Sequence, residues 1–203
     1  MADTTTSCTS EQDLYKDVKY CKGQKNNPGL RSYAYFIKRS NVVTFPTKKG
    51  SAATTLEEIA KLVGDFVLAA DKKWSKIELI PDKNNFSIDS VGQFPTKVFK
   101  NTVTIIVPGT NEEVTGLAAQ LNNDDCLFLV PTRNGKFRLV GNEEYNCDVK
   151  PKLESGSGAE DANSTTMEIT VNDDIPCPFY PGKIATNEGD ISGADGKAIV
   201  VTP

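Results

Sequence analysis

The chain has 203 residues, enough for one domain or one domain with extended arms. Its formal charge of −4 lacks the basic excess of a general nucleic-acid or anionic-membrane binder. It contains no histidine, which removes Ser-His-Asp and Cys-His catalysis, histidine zinc sites and the usual general base near neutral pH.

The first 28 residues are polar, Thr/Ser-rich and then YKDVKYCKGQKNNPG, and read as an arm that orders against something else. They show neither the basic nor the apolar region of a signal peptide, and no run in the chain is long enough to span a membrane, so a soluble product of a cytoplasm is expected. Residues 30–37 form a strand after Pro28-Gly29, with apolar groups on both faces and hence well buried. A short strand at 42–45 ends at Pro46. Leu56, Ile59, Leu62 and Val63 fall at helical spacing behind Thr54 or Thr55 as N-cap, with Gly64 as the stop. The alternative is that this segment stays extended and joins a neighbouring subunit. Strands at 66–70 and 74–80 are expected to form a hairpin across Asp71-Lys72-Lys73, and residues 86–91 alternate as a further strand.

Residues 101–140 organise the rest. Val103-Thr-Ile-Ile-Val107 is a β-branched strand closed by Pro108-Gly109. Val114, Leu117, Ala118 and Leu121 predict a helix over 112–121. A strand at 126–130 returns at 137–140 through Asn134-Gly135, a strong hairpin signal. Residues 145–149 are a short strand, 153–164 a flexible acidic loop, and 165–171 a strand with Met167, Ile169 and Val171 on one face. Residues 176–182 are extended and limited by proline. The stretch 185–203 reads as a C-terminal arm whose apolar Ala-Ile-Val-Val completes a sheet, in this subunit or another. About ten short strands with one or two helices give a mainly β, antiparallel sandwich or barrel. The apolar share is 38%, so the core is adequate but some segments have nothing to bury within a monomer.

Candidate chemistry is thin. Cys8, Cys21, Cys126, Cys147 and Cys177 form no CxxC pair and are odd in number, so they read as reduced, structural thiols. Asp161, Asn163 and Thr165 alternate like calcium ligands, but the loop lacks the glycine and glutamate of that motif and reads as a turn. Gly156-Ser-Gly158 has no following Gly-Lys-Thr/Ser and is no phosphate cradle. Asn122-Asn123-Asp124-Asp125 and Asn172-Asp173-Asp174 read as solvated turns. Lys72-Lys73-Trp74-Ser-Lys76 reads as a hairpin tip beside a core tryptophan more readily than as a nucleic-acid platform. No catalytic, cofactor or metal residue is assigned, and the chain is expected not to be an enzyme.

The phrases GDFVLAADKKWSKIELIPD (64–82), TIIVPG (104–109), NNDDCLFLVPTRNGKFRLVG (122–141), SGSGAEDANSTTMEITV (155–171), PFYPGKI (178–184) and GLRSYAYFIKRSNVVTFP (29–46) carry a resemblance. In layout and turn phrases the chain resembles tail-tube or tail-barrel ring proteins of tailed phages that infect Bacteroidetes, including crAss-like phages. The likeness covers roughly three quarters of the chain and leaves out residues 1–28 and the stretch after Ile184. It implies a tail-tube-type β domain at 29–184 with a flanking helix. The expected partners are further copies in a ring, then adjacent rings or portal and tail proteins. DNA is expected only as passing cargo, and no membrane is involved. The implied location is the tail or neck of a virion, with synthesis in the bacterial host cytoplasm. The alternative is a β-sandwich binding module, a decoration or adhesin, with its site around Tyr145 and Phe179-Tyr180.

Overall fold

A computed structural model describes residues 13–24 and 26–199. The described residues form a mainly β, antiparallel sandwich with two α-helices. The strands are β1 (Tyr33–Lys38), β2 (Val42–Thr44), β3 (Thr47–Lys48), β4 (Leu62–Val63), β5 (Val67–Leu68), β6 (Ser75–Glu78), β7 (Asn85–Val91), β8 (Val98–Pro108), β9 (Cys126–Pro131), β10 (Phe137–Val140), β11 (Asp148–Glu154), β12 (Ser164–Asp173), β13 (Phe179–Tyr180), β14 (Lys183–Thr186) and β15 (Gly189–Ser192). The helices are α1 (Leu56–Ile59) and α2 (Glu112–Leu121). One sheet runs β13-β10-β9-β1-β6 and the other β11-β12-β8-β7; the two stay separate sheets and do not close into a barrel.

Two cores follow from the side-chain pattern. In β8 the odd positions Asn101, Val103, Ile105 and Val107 are buried and the even ones are not, the period-2 signature of a sheet with one wet face. Met167, Ile169 and Val171 of β12 join them against Ala34, Phe128, Val130 and Val140 of the five-stranded sheet. β9 is buried at every position. Cys126, Phe128 and Val130 point into this first core, and Leu127 and Leu129 into a second on the opposite face, with Trp74, Phe137, Tyr180 and Ile184. That double burial is why β9 reads as an unbroken apolar run.

α2 occupies its expected span. Asn111 caps it by accepting from the Val114 N–H at 3.0 Å, and Ala118 and Leu121 enter the first core. α1 is shorter than the spacing predicts: it stops at Ile59, and Leu62 and Val63 pair with β3 instead. Burying Leu62 beside Phe66 and Tyr180 accounts for the change. The expected hairpin across residues 71–73 does not form. β5 pairs with β2, and β6 pairs with β1. The Trp74 side chain enters the second core, and its backbone N–H donates to the Ala185 carbonyl at 2.9 Å.

The stretch after Ile184 was expected as an arm. Through Ile199 it instead folds back: β14 and β15 form a hairpin, Ala198 bridges Ile191, and the Phe137 N–H donates to the Gly193 carbonyl at 2.9 Å. A Cβ on Gly193 would stand 2.2 Å from the Tyr180 carbonyl oxygen, so the hairpin lies against β13 as closely as backbone allows. Residues 200–203 lie outside the described residues, as do 1–12 with Cys8.

The chain passes from β12 to β13 through residues 174–178. Buried Asn101 accepts from the Cys177 N–H at 3.2 Å and donates to the Ile175 carbonyl at 3.3 Å. Replacing Asn101 with Ala strands both backbone groups away from water. It is expected to lower unfolding free energy by about 2–4 kcal/mol, read as a reduced midpoint in urea.

Candidate assembly interface

The residues singled out for chemistry mostly have structural partners. The Asp161 carboxylate accepts from the backbone N–H groups of Ser157 at 2.7 Å and Gly158 at 3.0 Å, closing its own loop. Asn163 accepts from the Thr110 hydroxyl at 2.9 Å, and Thr165 donates to the Gly109 carbonyl, so neither side chain faces a common centre with Asp161. Lys38 meets Asp124 at 2.8 Å and Arg39 meets Asp125 at 3.4 Å. Trp74 is a core residue. No group of three His, Cys, Asp or Glu among the described residues is placed to hold a metal ion.

Two sequence readings change. Asp173 was read as part of a solvated turn, but it is buried, with Lys48 Nζ at 2.6 Å. Lys48 also reaches Asp174. Burial lifts the Asp173 carboxyl above its ordinary value, while Asp174, bonded to Asp173 and Lys48 and more exposed, sits below. The aromatic site of the binding-module alternative also fails to assemble. Tyr180 is buried, its hydroxyl donates to the Lys183 carbonyl at 2.7 Å and accepts from the Phe66 N–H at 3.2 Å, and burial pushes its pKa up to about 12. Phe179 lies under the Arg138 guanidinium, 4.0 Å from its ring centre. Tyr145 is left exposed alone of the three.

Among the described residues, Cys126, Cys147 and Cys177 behave as small buried hydrophobes, and Cys21 is exposed. Burial raises Cys126 to about 11 and Cys177 to about 12, and raises Cys147 further, so none is poised as a nucleophile.

What the structure does gather is unpartnered surface. Residues 13–24 enter no helix or strand, and Tyr15, Val18 and Tyr20 are 93%, 86% and 75% exposed. Phe94, in the loop between β7 and β8, is 88% exposed. Val43, Val63 and Val67, on the short ribbons β2/β5 and β3/β4, are also open to solvent. A groove of about 700 Å³ runs beside α1, lined by Leu14, Tyr15, Ser51, Leu56, Ile59 and Ile175 among others. The sequence marks this segment as an arm that orders against something else but gives no sign of Phe94, because a lone aromatic in a polar loop carries no periodic signal.

The two edges of the four-stranded sheet differ. β11 carries Pro151, which offers no N–H, and flanks it with Lys150 and Lys152, paired to Asp148 at 3.2 Å and Glu154 at 2.8 Å. Proline and lysine on an edge discourage strand addition. β7 carries neither.

Compared with models of protein families, with curated proteins and with solved structures, the chain matches none.

The arm is tethered beside α1 by Lys16 on Glu57 at 3.0 Å. The neighbouring Glu58 fixes the start of α1: it accepts from the Thr54 N–H at 2.9 Å and from Lys49 at 2.5 Å, and its N–H donates to Thr55. The Lys49 bond and the Thr54 bonds lower Glu58 from 4.5 to about 2. A carboxyl depressed on folding contributes stability above its unfolded value and loses it as pH falls through the folded one. The Thr54 amide resonance is therefore expected to titrate near pH 2 in NMR spectra, and the titration to vanish in Glu58→Gln. A midpoint near 4.5 would mean that the contact is not made.

Proposed function

We propose that this chain is a structural subunit that self-associates into a ring, and that the ring belongs to the tail or neck of a tailed phage, where it forms or supports the channel for genome passage. The observation that carries the reading is the segment 13–24, which enters no strand or helix and leaves Tyr15, Val18 and Tyr20 exposed in its own subunit. Fully covering an aliphatic or aromatic side chain contributes about 1.5–3 kcal/mol, so Tyr15, Val18, Tyr20 and Phe94 together hold enough surface to drive association. An edge contact that joins β7 of one copy to a different patch of the next is head-to-tail. Such a head-to-tail contact generates rings when its rotation closes. The layout likeness to tail-tube and tail-barrel proteins supplies the virion setting. The net negative charge suits a conduit that DNA must traverse without sticking. The alternative, a surface-binding module, loses support from the burial of Tyr180.

Light scattering on the eluting protein, with negative-stain microscopy, is expected to show closed rings whose share grows with concentration. Neither Val18 nor Tyr20 is buried, so the double variant Val18→Asp/Tyr20→Asp should keep the melting temperature of the isolated subunit while weakening assembly at least roughly tenfold. A chain that remains a monomer at every concentration would remove the proposal.

A further inference from the structure

The four-stranded sheet is unfinished on one side. β12 and β8 bury side chains along their length, but β7 buries none: Phe86, Ile88 and Val91 are half-buried and the other positions exposed. Phe86 and Ile88 lean on the first core without being covered by it. The outer edge of β7 makes no backbone hydrogen bond to another described residue, and nothing in its sequence blocks one.

The chain contains a segment that suits this edge. Residues 14–20 equal β7 in length, belong to no helix, and enter no strand ladder among the described residues. As a strand they would place Leu14, Val18 and Tyr20 on one face with Lys16, and Tyr15, Asp17 and Lys19 on the other. The first face offers Val18 and Tyr20 to Phe86 and Ile88. The second offers Lys19 to exposed Asp89, a charge match across neighbouring strands. In its own subunit the segment is held at its start, by Leu14 and Tyr15 in the groove beside α1 and Lys16 on Glu57 at 3.0 Å, and beyond its end by Asn27 on Asn134 at 3.2 Å, while Val18 and Tyr20 stay bare.

We infer that β7 is an acceptor edge, completed by residues 14–20 of a second copy as a fifth strand. The backbone ladder supplies the pairing, and Val18 and Tyr20 supply the register by filling the side left open beside Phe86 and Ile88. Each subunit then donates one segment and accepts another, so the contact propagates from copy to copy. The inference rests on the self-assembly proposed above.

Disulfide trapping tests it in the full chain, with Cys8 and Cys21 replaced by Ser and the buried thiols left in place. One preparation carries Lys19→Cys; a second, of different tag length, carries Ser87→Cys or Asp89→Cys, which share a face with it in the paired arrangement. Mixed under mild oxidation, they should give a species at the summed mass on non-reducing gels, since paired strands bring Cα atoms within the roughly 4.4–6.8 Å that a disulfide spans. The yield should fall at least tenfold when Ile88→Lys is added to the acceptor, with light scattering still reporting a folded subunit. A link formed only within a chain carrying both cysteines would overturn the inference, because the segment would then serve its own β7. Rings that form with no cross-link from either acceptor position would overturn it while leaving the ring reading intact. Absence of any self-association would overturn both.

Discussion

The fold depends on how residues 174–178 cross from the four-stranded to the five-stranded sheet. This stretch belongs to no sheet, yet it is partly buried between them, so its backbone groups need side-chain partners. Asp173 accepts from the Ile175 N–H at 3.2 Å. Asn101 holds both Ile175 and Cys177, and Arg138 donates to the Cys177 carbonyl at 2.9 Å. The Leu139 N–H reaches the Pro178 carbonyl at 2.9 Å, which continues the sheet. Three polar side chains from three strands thus replace a ladder that the crossing cannot have. Cys177 takes a positive φ of 37° at the sharpest point, and burial of its side chain fixes it there.

Arg138 couples that crossing to the open side of the sandwich. Its guanidinium lies between the rings of Phe86 and Phe179, 4.8 and 4.0 Å from their centres, and so joins β7 of one sheet to β13 of the other. Arginine suits the place because its flat cation stacks on both faces and still donates in its plane. Phe86 is half-buried beneath this cation, and β7 remains a strand with one paired neighbour and one vacant edge.

Much of the architecture was legible where one periodicity dominated. β8 and β12 alternate, α2 repeats at helical spacing behind Asn111, and Asn134-Gly135 turns β9 into β10. The failures lie where distant residues decide. Leu62 carries the local marks of a helix, and residues 66–80 those of a hairpin; Trp74 is the core residue it was expected to be, but Leu62 joins it in the second core, which is assembled from segments far apart in sequence, and β5 and β6 pair with β2 and β1. Residues 185–199 lack long apolar runs and read as an arm; their small residues are what let a hairpin lie flat on Tyr180. Asp173 shows the same limit, since two adjacent acids look solvated until Lys48 is known to close over them. The interface was legible only in part: the arm's apolar residues stand out against polar surroundings, whereas the vacancy beside β7 is a property of the assembled sheet.

The hairpin of β14 and β15 has a consequence for the order in which the molecule can be made. Trp74 is buried beside Ala185 and Thr186, and Tyr180 lies beneath Gly182 and Gly193. During synthesis the five-stranded sheet has all its strands once residue 180 has emerged, but one of its faces has no lid until residue 193 follows. The first core can therefore close on the ribosome while the second still presents Trp74, Phe137 and Tyr180 to water. The surface over the second core is therefore completed only after the β14/β15 hairpin has followed the strands it covers.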